Sequence, residues 1–167
     1  SGPLTRPADC NGVMAVGAVQ ADGAKTYYSD FGSNVALSTP GGDVSPQSLR
    51  LYSTSNSGTQ GPVTDNYAYK IGTSFSAPLA AAVASLMLSV DGTLTPAQLM
   101  AKMKASARPF VSNGAYPQCA AGVTVACNCT TGTCGAGMLD ANAAVALVAT
   151  SGGSLPPTTT TTSTTAS

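Results

Sequence analysis

Ile71-Gly72-Thr73-Ser74-Phe75-Ser76-Ala77-Pro78 sets three hydroxyls behind a glycine and ahead of the apolar run Leu79 to Leu88. Before it, Tyr67-Ala68-Tyr69-Lys70-Ile71 alternates as a strand does, Gly72 permits a sharp change of direction, and the residues after it favour helix. Ser74 therefore falls at the start of a buried helix. Free backbone N–H groups and the positive end of the helix dipole gather there, which suits an oxygen that develops negative charge, as in acyl transfer. Pro78 fits a first helical turn, where a proline sacrifices little hydrogen bonding. The competing reading makes Ser74 or Ser76 a plain N-cap and the apolar run ordinary core.

Several further elements must position this turn. Thr5 to Asp9 reads as a turn, and Gly12 to Val19 as an apolar strand buried on both faces, as in a parallel sheet covered by helices. Ala21 to Ala24 is a turn, Thr26-Tyr27-Tyr28 is expected to be extended, and Val35-Ala36-Leu37 is a short strand ending at Thr39-Pro40-Gly41-Gly42. Leu49 to Ser53 and Tyr67 to Ile71 read as strands joined by the polar loop Thr54 to Asn66. Thr95, Pro96 and Gln98 form a capping box for a helix running to about Ala107. Leu99, Met100 and Met103 are its core stripe, and Lys102 and Lys104 face solvent. Asp140 caps a closing helix from Ala141 to about Ala149. Beyond it the Pro-, Thr- and Ser-rich residues 151–167 cannot bury a core and read as an extended, glycosylatable tail.

The composition of this 167-residue chain narrows the function classes. Charged residues are only 8%, with seven basic against seven acidic, so there is no electrostatic footprint for nucleic acid or an anionic membrane. The apolar run from Leu79 to Leu88 is shorter than a bilayer requires. Five cysteines amid abundant Thr, Ser, Gly and Pro point to an oxidising, secreted setting. Cys119, Cys127, Cys129 and Cys134 cluster in a segment expected to be loop. Zinc is the alternative to two disulfides there, but the Cys127-Asn128-Cys129 spacing and the lack of any histidine disfavour it. The preferred pairing is local, Cys119 with Cys127 and Cys129 with Cys134, although spacing alone does not fix it. Cys10 is then left needing a partner outside this chain.

Gly72-Thr73-Ser74-Phe75-Ser76-Ala77-Pro78 closely resembles the nucleophile motif of the subtilisin-like serine proteases, with Ser74 as the nucleophile. It is not the nucleophile elbow of the α/β-hydrolases, because Ser76 stands where those have glycine. Many subtilisins carry a non-catalytic histidine where this chain has Leu79. Thr5 to Gly42 also resembles those proteases without a gap. The resemblance implies a three-layer α/β fold with a mostly parallel sheet between helices. It implies that Thr5, Arg6, Pro7 and Ala8 line the pocket for the substrate side chain before the scissile bond, with a cis bond at Arg6-Pro7. It implies Thr73 and the Ser74 N–H as oxyanion support, a polypeptide substrate and no cofactor. A weak cation site of the family uses an aspartate where this chain has Ala36, so no metal is expected there.

A serine hydroxyl is a weak nucleophile until a base takes its proton, and these residues contain no histidine. The family's aspartate, histidine and oxyanion asparagine precede the segment that resembles this chain, and Asn11 lies on the wrong side of the pocket segment to replace that asparagine. Residues 1–150 are therefore expected to be the C-terminal half of a secreted subtilisin-like endopeptidase domain, inactive and sticky without an N-terminal segment. Its start at Ser1 fits a removed leader or an internal piece. The alternative is a non-catalytic secreted binding module on a protease-like scaffold. A serine esterase of another fold would need a histidine after the serine, and none follows.

Overall fold

The computed structural model describes residues 4–150; the tail assigned to residues 151–167 and the first three residues lie outside the described residues. In order, the elements are β1 (Val16–Val19), β2 (Leu37–Pro40), β3 (Leu51–Asn56), β4 (Asp65–Lys70), α1 (Thr73–Val90), α2 (Pro96–Ala105), α3 (Thr131–Cys134) and α4 (Ala141–Thr150). β1 and β2 pair in parallel, from Val16 opposite Leu37 to Val19 opposite Pro40. β3 and β4 form a separate antiparallel hairpin, from Leu51 opposite Lys70 to Asn56 opposite Asp65.

Side chains alternate across a strand, and β2 uses both faces. Leu37 joins a core of Ala80, Val83, Met87, Val90, Met103, Ala144 and Val148 from the helices. The Ser38 hydroxyl turns the other way and donates to the carbonyl of Cys134 at 2.9 Å. Thr39 turns back and donates to the carbonyl of Ser76 at 2.9 Å. Behind the strands a second core gathers Val19 with the four disulfide cysteines, flanked by Phe31, Phe110 and Met138. Cys119 is bonded to Cys127 and Cys129 to Cys134, across Cα separations of 5.0 and 5.5 Å. The sulfurs of Cys119, Cys129 and Cys134 lie within 4.8 Å of one another, but all three are disulfide-bonded and offer a metal no thiolate. Cys10 is an exposed free thiol.

Between Cys127 and Cys129, Asn128 is buried and accounts for the odd spacing. Its side-chain amide donates to the carbonyls of Asn113 and Tyr116 at 2.8 and 2.7 Å, and its oxygen accepts the Asn113 N–H at 2.8 Å. One side chain thus supplies the hydrogen bonds that a loop with little regular structure otherwise lacks.

α1 buries Ser76, Ala80, Val83, Met87 and Val90, a stripe at helical spacing that packs on β1, β2 and α4. Leu79, Leu86 and Leu88 on its other sides are exposed. At 18 residues it is long and apolar enough, by length and composition, to cross a membrane, unlike the shorter run visible in the sequence. Its first turn is nevertheless hydrogen-bonded to a strand end, as in a core helix.

Some expected boundaries move. β1 starts at Val16 rather than Gly12, and β2 begins two residues later than expected. Tyr27 and Tyr28 form a turn, not an extended segment, because Thr26 is already tied to β1 through its N–H to the Ala18 carbonyl at 3.0 Å. The hairpin strands are longer than expected and shorten the loop to 57–64. α2 stops at Ala105 and Lys102 is half-buried, while one helical turn, α3, interrupts the cysteine segment. Helix α1 begins at Thr73, so Pro78 sits beyond the first turn and removes the donor that would have met the Ser74 carbonyl. The N-cap is Gly72, with no side-chain cap, so neither Ser74 nor Ser76 caps the helix. The caps at Thr95 and Asp140 form as expected, with Asp140 accepting the Ala143 N–H at 2.9 Å.

Candidate active site

The turn that carries Ser74 is held at both ends by one strand terminus. Gly72, at φ 146°, adopts a backbone conformation open to glycine. Its N–H donates to the carbonyl of Gly41, just past β2, at 2.9 Å. On the far side Ser76 is fully buried; its carbonyl accepts from Thr39, and its hydroxyl lies 3.2 Å from the carbonyl of Pro40 and 3.4 Å from that of Thr39. Ser74, between these two fastenings, is exposed. Among the described residues its hydroxyl has no hydrogen-bond partner, and its N–H, in the first helical turn, has no acceptor.

Gly41 is required for lack of space. A Cβ there would meet the Ala18 Cβ at 2.6 Å, the Tyr28 hydroxyl at 2.7 Å and the Ser76 Oγ at 3.0 Å. The same hydroxyl donates to the carbonyl of Gly42 at 2.7 Å. Burial pushes the Tyr28 phenol up from its ordinary value, so it remains a donor at neutral pH.

Beside the turn is a cavity of about 240 Å³. Thr73 lines it from the turn, and Thr5, Arg6, Pro7 and Ala8 line it from the N-terminal segment, with Arg6-Pro7 cis. The opposite wall is Tyr28, Ser29 and Asp30, with Val16 and Leu4 adding apolar surface. Sequence reasoning missed this wall. Its one signal is Lys25, a charged residue among small ones, whose burial is decided by contacts distant in sequence. A larger hollow of about 630 Å³ runs along α2 past Val13, Pro96 and Met100 and shares no residue with this cavity. At Ala36 both backbone groups are occupied, the N–H by Ala15 and the carbonyl by the Ala136 N–H. No carboxylate stands at that position, so the residues present do not fit a cation.

The arrangement offers an exposed hydroxyl, a free N–H at a helix start and an adjacent cavity. Those are the parts of an acyl-transfer site that a nucleophile and one oxyanion donor require. The general base is not among these 167 residues as a histidine.

Residues 1–155 match the family model described as the subtilase family. An extracellular protease of Xanthomonas campestris pv. campestris is 40% identical over 140 residues, which are 83% of this chain and 20% of that protein. An extracellular basic protease of Dichelobacter nodosus is 37% identical over 99 residues, 57% of this chain and 15% of that protein. Among solved structures, a protease from Pseudoalteromonas arctica superposes with a TM-score of 0.70 at 36% identity, covering 86% of this chain and 38% of that one. The chain thus spans about a fifth or less of the length of these curated relatives.

Proposed function

The chain belongs to the subtilase family, and on that premise we propose that it carries the nucleophile side of a secreted serine endopeptidase site. Ser74 attacks the peptide carbonyl and forms the acyl-enzyme. Its own N–H, supported by the Thr73 hydroxyl, stabilises the oxyanion. Thr5, Arg6, Pro7 and Ala8 hold the substrate side chain that precedes the scissile bond. The observation that carries this reading is the exposed Ser74 hydroxyl, fixed between Gly72 and Ser76 at the start of α1 and next to the cavity.

The aspartate, histidine and oxyanion asparagine lie on a further, N-terminal part of the same protein, residues 1–150 being the C-terminal half of the domain. The lack of any histidine supports this, as do the 38% coverage of the solved relative and the exposed Leu79, Leu86 and Leu88 on α1. Extracellular relatives and two disulfides support the secreted setting. Without that part, this chain does not turn over substrate.

The experiment is Ser74→Ala in the full-length protein, with hydrolysis of a casein substrate and labelling by a fluorophosphonate as readouts. Loss of labelling and a fall in rate of at least about 10³-fold are expected. Labelling that persists in the variant refutes the assignment. The lack of histidine also favours a non-catalytic binding module, and that reading predicts no labelling of the full-length wild type.

A further inference from the structure

Lys25 is 1% exposed, an unusual place for an ammonium. Its Nζ donates to the carbonyl of Thr26 at 2.7 Å and to that of Ser29 at 2.8 Å. It also lies 5.3 Å from the centre of the Phe31 ring. The turn so bridged is weakly closed by its own backbone, the Ser29 N–H reaching the Thr26 carbonyl at 3.3 Å. The residues it carries, Tyr28, Ser29 and Asp30, are one wall of the cavity beside Ser74, and Lys25 itself does not line that cavity.

We propose that Lys25 is a positioning residue for substrate selection: by tying the Thr26 and Ser29 carbonyls it sets how far the Tyr28–Asp30 wall stands from Thr5–Ala8. This rests on the reading of Ser74 as nucleophile and of the cavity as its side-chain pocket.

The base of the lysine is fixed from behind. Its N–H donates to the Cys127 carbonyl at 2.8 Å, and its carbonyl accepts from the Cys127 N–H at 3.3 Å. The front of the wall is stitched to β1, the Ser29 hydroxyl accepting the Ala18 N–H at 3.0 Å. Between these two fastenings the ammonium spans from the Thr26 carbonyl to the Ser29 carbonyl. An apolar residue of the same length fills the space but leaves the Ser29 carbonyl without a donor and the Thr26 carbonyl with only the long bond from the Ser29 N–H, so the turn must shift to find other donors. The opposite wall does not follow, because it belongs to the N-terminal segment. The effect is therefore on which side chains fit, not on the bond-breaking step.

The test compares wild type, Lys25→Met and Lys25→Arg in the full-length protein. The substrates are peptide p-nitroanilides that differ only in the residue before the scissile bond: alanine, leucine, phenylalanine or lysine. Lys25→Met is expected to change the ratio of kcat/KM for the best large residue over alanine by about tenfold, with the alanine substrate within about threefold of wild type. Lys25→Arg, which keeps charge and donors, is expected to hold that ratio within about threefold. Equal loss on all substrates means a merely structural role and overturns the proposal, as does a ratio unchanged within about twofold in Lys25→Met. If Lys25→Met does not accumulate, Lys25→Gln replaces it. Its shorter arm reaches one carbonyl, so a ratio shift of about threefold is expected and an unchanged ratio overturns. A wild type without Ser74-dependent hydrolysis overturns the nucleophile reading itself, which separates that failure from one confined to Lys25.

Discussion

Replacing Gly41 with alanine tests whether the strand end fixes the proposed nucleophile. The new methyl would sit 2.6 Å from the Ala18 Cβ and 2.7 Å from the Tyr28 hydroxyl, where carbon contacts need about 3.5–4.0 Å. Ala18 is fully buried on β1 and has no room to retreat. Tyr28 can swing aside, but only by giving up its bond to the Gly42 carbonyl, a loss of about 1 kcal/mol. The remaining overlap, about 1 Å, has to be relieved by the Gly41 backbone. That backbone carries the carbonyl that holds Gly72, two residues ahead of Ser74. Overpacking of this kind costs about 1–3 kcal/mol, and a misplacement of about 1 Å at a reacting group costs about 10²-fold in rate. In the full-length protein, urea unfolding is expected to show the first loss. Peptide hydrolysis under conditions where the variant is fully folded is expected to show the second. A Gly41→Ala protein with wild-type kcat/KM and stability would refute the reasoning.

Two further outcomes follow from buried polar groups. Burial pushes the Lys25 ammonium down to about 8, with Asp30 opposing the shift. Since its folded value lies below its ordinary one, the unfolded chain holds the extra proton between about pH 8 and 10.5, and stability rises with pH across that window. Wild type is therefore expected to gain up to about 3 kcal/mol over Lys25→Met between pH 7.5 and 10.5 in parallel urea titrations, and a flat difference refutes it. Asn128→Ala strands the Asn113 N–H and the Tyr116 carbonyl, the Asn113 carbonyl keeping the Tyr116 N–H, and is expected to lower stability by about 2–3 kcal/mol, read by thermal unfolding under non-reducing conditions. A change in Tm of less than about 2 °C contradicts that account.

Helices were legible where their signals are local. Thr95 with Gln98, and Asp140 with Ala143, are contacts within one turn, so residue type and spacing suffice. β1 and β2 were found but misbounded, because strands buried on both faces read as apolar runs without alternation that would mark their ends. The hairpin was too short in the sequence reading for the opposite reason. The residues missed, Thr54 to Asn56 on one strand and Asp65 and Asn66 on the other, are polar on both faces, so no period separates strand from loop there. The turn bearing Ser74 announced itself through its motif, whereas its fastenings did not. Ser76 looks like a helix cap by type, and its true partners, Thr39 and Pro40, are 37 and 36 residues away. Lys25 was not read as a buried residue because a lysine by type belongs to the surface; its side-chain partners are one and four residues away, but the segment that buries it, at Cys127, is distant in sequence.

The two strands of the parallel pair divide the interior into two cores that share no residue, one built from helices and one from disulfides. Each strand position answers to one of them, as Leu37 and Thr39 do on one side and Ser38 on the other. Descendants of this sequence can therefore vary the loops between Cys119 and Cys134, reshaping the backing of the pocket wall, without compensating changes in α1. The hydroxyl-bearing turn and the Tyr28–Asp30 wall stay coupled where Tyr28 and Ser76 converge on Gly41, while the far side of the wall answers to the cross-linked loop. A lineage under pressure to accept new sequences would accumulate its changes on the cross-linked side first.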